Sequence, residues 1–407
     1  MPFIMVTVLI DMLAIGLIIP VLPAMVGSFT GSQTDQAYWY GVVAFSFGIA
    51  NFFASPVLGG LSDQYGRRPV LLLGFFGLCV SFFGTAMATS LWVLIAVRTV
   101  AGGMQANISV ANAYAADITP PELRTKNFGM LGAMQGLGFI VGPVMGGLLG
   151  AINLHLPFLI AGILASVNLI YGYFVLPESL PNEKRRPFKL AAANPWGALK
   201  TLAKLKGVGS LVWVVGFSGL AQFMLYTTWV LYTTFKFGWG PLENGWSLAA
   251  VGVVSVIVQG FLLGKLLKWF SPQTLAILGL VSSALSYLLW GLAWQGWMMF
   301  AVIGVNFLGF TVTAAVNSMI SSAADAKSQG STLGAVSALN SAMAVVAPLI
   351  GAPLLGLVSH LPLGDWRIGA PFYFCAALQI ASMCLAVYHF KKHKRRSLDH
   401  ARLPTHD

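Results

Sequence analysis

Charge is what this chain has least of. Only 9% of its 407 residues are Asp, Glu, Lys or Arg, while 57% are hydrophobic; a soluble domain carries about 25% charged residues. A water-facing globular fold is thereby excluded. Cysteine is scarce too. Cys79, Cys375 and Cys384 lie inside apolar runs without metal or redox spacing, so they read as core residues. The sequence has no GxxxxGK[ST] loop, HExxH pair, nucleophile elbow or metal-ligand cluster. The segment GLGFIVG at 136–142 is spaced GxGxxxG within an apolar run rather than after a strand. These absences argue against ATP-driven transport and membrane hydrolysis; no enzyme activity, cofactor, nucleotide or metal is expected. Missing as well are the alternating pattern of a barrel strand and the basic n-region of a cleavable signal peptide.

What the chain has is apolar length. Twelve runs stand at approximately 3–25, 38–61, 69–90, 91–116, 127–150, 155–177, 208–235, 243–267, 273–294, 297–320, 330–357 and 368–390. A helix needs about 20 residues to cross a bilayer, and in lipid only helices and closed barrels satisfy their own backbone. The expectation is an all-α polytopic membrane protein with twelve transmembrane helices. The net charge of +11 reflects topology rather than a nucleic-acid partner. With the N-terminus inside, 20 of the 23 Lys and Arg fall in the connections after even-numbered spans or in the C-terminal tail. That bias puts both termini on the cytoplasmic side.

The one long polar stretch, PESLPNEKRRPFKLAAANPWGALKTLAKLK at 177–206, divides the spans into two sets of six. The expected units are 1–177, a cytoplasmic linker 178–207, a second bundle 208–392 and a basic tail 393–407. The halves echo each other at a fixed offset of 205: Gly59 matches Gly264, Gly74 Gly279, Trp92 Trp297, Asn112 Asn317, Pro143 Pro348 and Gly146 Gly351. An even number of spans per half makes these parallel repeats, related by an axis along the membrane normal. Such halves enclose a midplane cavity that rocking exposes alternately to each side.

Several stretches carry polar chemistry. GGLSDQYGRRPVLLLG at 59–74 packs Asp63, Arg67 and Arg68 into a short turn between spans 2 and 3. Asp63 at a helix end can accept hydrogen bonds from a neighbouring helix N-terminus, and the arginines can pair with acids or headgroups. In span 4, Arg98, Gly102, Gln105, Ser109 and Asn112 fall at i, i+4, i+7, i+11 and i+14 and form one polar stripe on one helix face. In span 5, Gly138, Gly142 and Gly146 are spaced for close helix packing, with Pro143 and Gly147 beside them. Gln222, Tyr226 and Trp229 in span 7 and Asn306, Phe310, Thr313 and Asn317 in span 10 make two further stripes. With Gln105, Asn112 and Gln135 these are expected to line an aromatic, uncharged cavity for a bulky amphipathic molecule. Asp11 and Arg98 are the charges placed deep in the membrane, and a mid-span carboxylate costs roughly 2.5–3.5 kcal/mol on insertion scales. Burial favours the neutral acid and a nearby guanidinium the carboxylate. A side chain under both pulls can change protonation as its surroundings rearrange.

The turn at 59–68 resembles the G-x-L-x-D-x-x-G-R-R/K signature of the major facilitator superfamily, filled here by Gly59, Leu61, Asp63, Gly66, Arg67 and Arg68. The resemblance implies a twelve-helix transporter whose Asp63 turn gates the cytoplasmic side. Span 5 is similar to the superfamily's antiporter pattern at Gly138, Gly142, Pro143, Gly146 and Gly147. IDMLAIGLIIPVLP, SDQYGRRPVLLL and ANAYAADITPPELRTKNFGMLGA resemble the drug:proton antiporters of the tetracycline-efflux group. This implies proton coupling at Asp11 and Arg98, with protons, lipid and a small-molecule drug as partners and a monomer in a bacterial inner membrane. That group also has acids in spans 3 and 9, where this chain offers Ser81, Ser282 and Ser283. The departure weighs against a tetracycline–metal chelate and toward another lipophilic or cationic drug. A metabolite carrier and a non-transporting receptor or assembly protein are the alternatives.

Overall fold

The computed structural model of the chain describes residues 1–105, 107–188, 194, 197, 209–322 and 329–401. Most of the linker beyond Phe188 and the tail from residue 402 lie outside the described residues. The apolar runs form helices, as backbone groups in lipid must find partners within their own segment. Among the described residues eleven helices are long and apolar enough to cross a membrane, and Pro2–Ile18 is a shorter apolar helix. No strand occurs among the described residues.

The first run is split into α1 (Pro2–Ile18) and α2 (Leu22–Gly27), with Pro20 in the gap, where it removes a backbone donor. There follow α3 (Gln33–Tyr65), α4 (Arg67–Ala86), α5 (Leu91–Met104), α6 (Asn107–Ile118), α7 (Arg124–Ile152) and α8 (Leu156–Val175). The second set comprises α9 (Gly209–Phe237), α10 (Pro241–Ile257), α11 (Leu263–Trp269), α12 (Pro272–Leu292), α13 (Gly296–Val305), α14 (Val312–Ser322), α15 (Gln329–Val358) and α16 (Ala370–Ala401). Ser32, Ser90 and Ser271 cap helix starts by accepting the amides of Asp35, Val93 and Thr274.

Packing repeats with the sequence. In the first set α1 packs on α7 and α8, and α4 on α8; in the second α9 packs on α15 and α16, and α12 on α16. The offset of 205 holds at atomic detail. The Asn107 side chain lies over Gly74, and Val312 lies over Gly279, where a Cβ would come within 2.6 Å of Val312 Cγ2. Interruptions repeat too. The fourth span breaks at extended Gln105, and the tenth carries a 3-10 turn at Asn306–Thr311. A π-turn at Val258–Leu262 interrupts the eighth.

The two sets meet through α3 against α15 and α7 against α10. The close approaches lie toward the face opposite the termini. Thr34 Oγ1 and Ser359 Oγ are 2.9 Å apart. A Cβ on Gly41 would sit 2.7 Å from Ala352 Cβ, and one on Gly245 3.1 Å from Gly147 Cα. Nearer the terminal face the same helices part: Gly129 and Gly132 of α7, Gly260 and Gly264 of the eighth span and Gly334 of α15 have no such neighbour within 4 Å among the described residues. The molecule is closed on the far face and open on the terminal face.

Candidate functional site

Asp11 is buried on α1, 4% exposed. Its partner is an amide: Asn107 Nδ2 donates to Asp11 Oδ1 at 3.0 Å. Beside them is a cavity of about 10 Å³ lined by uncharged residues, including Thr7, Met12, Leu71 and Phe75, close to the smallest space that holds one water. One turn away Asn168 donates to the Thr7 carbonyl at 3.0 Å. Asn107 was not among the residues expected at this site. The available signal was a third amide beside Gln105 and Asn112 in the polar stretch QANISVAN at 105–112.

Arg98 does not join Asp11. Among the described residues no ion pair links them, and Arg98 instead stacks over the Phe47 ring at 4.6 Å, with its Nε unpartnered. The expectation of opposed pulls on Asp11 from burial and from Arg98 is corrected accordingly. The break at Gln105 is the physical reason for a second correction. The stripe from Arg98 to Asn112 presumed a continuous helix, but Arg98 and Gly102 lie on α5 and Asn112 on α6, with extended Gln105 between the two. Asn51 of α3 serves the break, donating to the Gly102 carbonyl at 3.4 Å and the Gln105 carbonyl at 2.5 Å.

At the terminal face Gly66 turns α3 into α4 with φ +106°, in the region where a Cβ is disfavoured. Asp63 pairs with Arg67 at 2.5 Å, and Arg67 Nε with Asp117 at 3.1 Å. The acid at the α4 N-terminus is Glu178, which accepts the Arg67 and Arg68 amides at 2.8 and 3.2 Å, a placement the helix dipole favours. Asp63 thus holds its own turn, while Glu178, read from sequence as linker, holds the neighbouring helix end. Arg68 stacks near Tyr173 and donates to its carbonyl at 2.5 Å. Gly59 has no non-local neighbour within 4 Å of a Cβ position among the described residues, and Gln64 accepts the Phe188 amide at 2.8 Å.

The glycines of α7 face two ways. Gly138, Gly142 and Gly146 touch α1 backbone to backbone: a Cβ on Gly142 would lie 2.8 Å from Gly16 Cα and 2.9 Å from the Leu13 carbonyl. Gly147 turns instead to Pro241 and Gly245 of the other half, and Pro143 spans both sides, its ring beside Gly16 of α1 and its carbonyl beside Gly245. The sequence signal for close packing is met on both sides of one helix.

In the second half Tyr226 is 52% exposed and its hydroxyl engages Gln222. Trp229 is a correction. It is 3% exposed, donates to Ser247 Oγ at 2.9 Å and packs edge-on to Trp290 at 5.2 Å, so it belongs to the core of its bundle rather than to a cavity wall. Asn306 accepts from Ser282 at 3.4 Å. Gln105, Asn112, Gln135, Gln222 and Asn317 are half-buried. Ser81 and Ser286, which share the repeat register, both carry buried hydroxyls with no partner among the described residues.

Two sets of helices with the same internal packing, touching on one face and parted on the other, define a membrane transporter. The chain belongs to the Major Facilitator Superfamily, whose sequence model matches residues 4–348. It is 36% identical over 368 residues to the class C tetracycline resistance protein of Escherichia coli, covering 90% of this chain and 92% of that one. It is 33% identical to the class D tetracycline resistance protein of Salmonella ordonez, covering 91% and 93%. Among solved structures, the human organic anion transporter MFSD10 (TETRAN) superposes with a TM-score of 0.71 at 22% identity, covering 95% of this chain and 98% of that one; this likeness concerns the fold.

Proposed function

We propose that the protein is a proton-driven exporter of lipophilic or cationic drug-like molecules, working by alternating access in a bacterial inner membrane. The carrying observation is Asp11: a carboxyl buried in an apolar helix, held by a neutral amide instead of a cation. A fixed structural charge is expected to be paired with an opposite one; an acid left with an amide is free to take up and release a proton. The resistance functions in the names of the relatives support export of a drug. Ser81, Ser282 and Ser283, standing where the tetracycline-efflux group has acids, support a substrate other than a metal chelate.

By the distribution of basic residues the terminal face is cytoplasmic, so the observed form is inward-open. Substrate enters there between Gln105, Asn112 and Gln135 on one side and Gln222, Tyr226, Asn306 and Asn317 on the other. Gly59, Asp63, Gly66, Arg67 and Arg68 close that face in the outward-open form, and the 1–177 and 208–392 bundles are the rocking bodies. A proton bound to Asp11 from outside and shed inside contributes about 2.3 kcal/mol per 100 mV of potential. Arg98, stacked on Phe47, acts on this step through the position of α5 rather than by direct pairing.

The test is a drug-susceptibility panel on cells expressing wild type or Asp11→Asn at equal levels, with proton flux measured in inverted vesicles. Resistance and drug-dependent proton flux in the wild type, both lost in Asp11→Asn, are expected. Coupled export that survives in Asp11→Asn overturns the assignment.

A further inference from the structure

We infer that Asn107 is the positioning residue of the Asp11 carboxyl, brought to it by the break in the fourth span and admitted by the missing side chain of Gly74. The inference rests on the reading of Asp11 as the coupling acid and adds the group that holds it in both protonation states.

The geometry is specific. Gln105 leaves helical conformation and α6 restarts at Asn107, so the amide belongs to the first turn of a new helix. Asn107 is 5% exposed and reaches Asp11 Oδ1 at 3.0 Å. It can do so only by lying across Gly74, since a Cβ there would overlap Asn107 Oδ1. The repeat supplies the internal comparison. Val312 crosses Gly279 in the same way, but the residue matching Asp11 is Gly216 and the one matching Asn107 is Val312. Acid and amide are present together in one half and absent together from the other.

An amide suits an acid that titrates. Its Nδ2–H donates to the carboxylate, and after protonation its Oδ1 accepts the new O–H. A lysine or arginine in that place would fix the acid as an anion, and a valine would leave either form unpaired. Nothing else nearby substitutes. α4 brings Leu71 and Phe75, α6 Ile108 and Ala111, α7 the Gly138 backbone against Met12, and α8 Asn168, whose Nδ2 donates to the Thr7 carbonyl and whose Oδ1, an acceptor that can donate nothing to a carboxylate, is buried without a partner among the described residues. None of these groups titrates or carries charge.

The experiment uses the full-length protein in detergent and in inverted vesicles. Dicyclohexylcarbodiimide attacks the protonated form of a buried carboxyl, and the fraction of Asp11 labelled is followed against pH by peptide mass spectrometry. In Asn107→Val, labelling is expected to persist to higher pH by about one unit, the shift that corresponds to losing one hydrogen bond to a charged acceptor. The pH profile of drug export is expected to move with it. Gly74→Ala, which displaces the amide without removing it, is expected to move both profiles the same way, and stands in if Asn107→Val fails to fold. Unchanged Asp11 labelling in either folded variant overturns the role of Asn107. That outcome is distinct from failure of the coupling assignment, in which Asp11→Asn itself exports normally.

Discussion

Asn51 closes the gap in the fourth span: its Nδ2 reaches the Gln105 carbonyl at 2.5 Å and the Gly102 carbonyl at 3.4 Å. The Gln105 carbonyl thereby gains a donor from α3, shared with the Gly102 carbonyl, which also accepts the Gln105 amide at 3.5 Å. Asn51→Leu removes that donor and is expected to destabilise the protein by about 1–3 kcal/mol, the cost of an unmade buried hydrogen bond. Thermal unfolding in detergent checks this; an unchanged transition shows that another donor serves the break.

The hydroxyls of Thr34 and Ser359 touch across the two halves at 2.9 Å. A Thr34→Cys/Ser359→Cys pair is expected to form a disulfide on mild oxidation and to stop transport until reduced, because the closed far face can then no longer open. A disulfide formed in high yield with transport intact would mean that this contact survives the whole cycle.

Ser81 and Ser286 bury hydroxyls that make no hydrogen bond among the described residues. Removing a polar atom that has already lost its solvent and found no partner relieves a desolvation cost, so Ser81→Ala and Ser286→Ala are each expected to be neutral or stabilising by about 1 kcal/mol. A lower melting temperature in either variant reveals a partner for that hydroxyl.

On the far face, hydrogen bonds from Arg367 hold the Asp365 carboxyl down to about 2, from an ordinary 3.8. A value depressed in the folded protein means that the ionised form supports the local structure above the ordinary value. That support fades as the pH falls through the folded one. Carboxyl NMR is expected to place the Asp365 midpoint near 2, and Arg367→Ala to return it toward 3.8. A midpoint that stays low in Arg367→Ala assigns the effect elsewhere.

Much of this was legible in the sequence because lipid leaves the chain few options. Long apolar runs had to be helices, and the register linking Gly74 to Gly279 survived because both glycines admit a crossing side chain. What escaped depended on partners distant in sequence or on departures from regular helix. The stripe through Arg98 and Asn112 failed because nothing in MQAN announces a break; the Gln105 carbonyl is served by Asn51, 54 positions away. Trp229 fell on an amphipathic stripe, yet an indole that reaches Ser247 and Trp290 is drawn into the bundle. Glu178 read as the first acid of a linker because its role is to meet the backbone of Arg67 and Arg68 from the other end of the half.

The two-faced packing of α7 has a mechanical consequence. Its Gly142 rides directly on the backbone of the helix that bears Asp11, while its Gly147 bears on Gly245 in the opposite bundle. With no side chains between to act as cushions, the helix behaves like a drive shaft with little play. A small displacement beside the acid is delivered across the molecule almost undiminished, and even one added methyl group on either bearing surface would jam it.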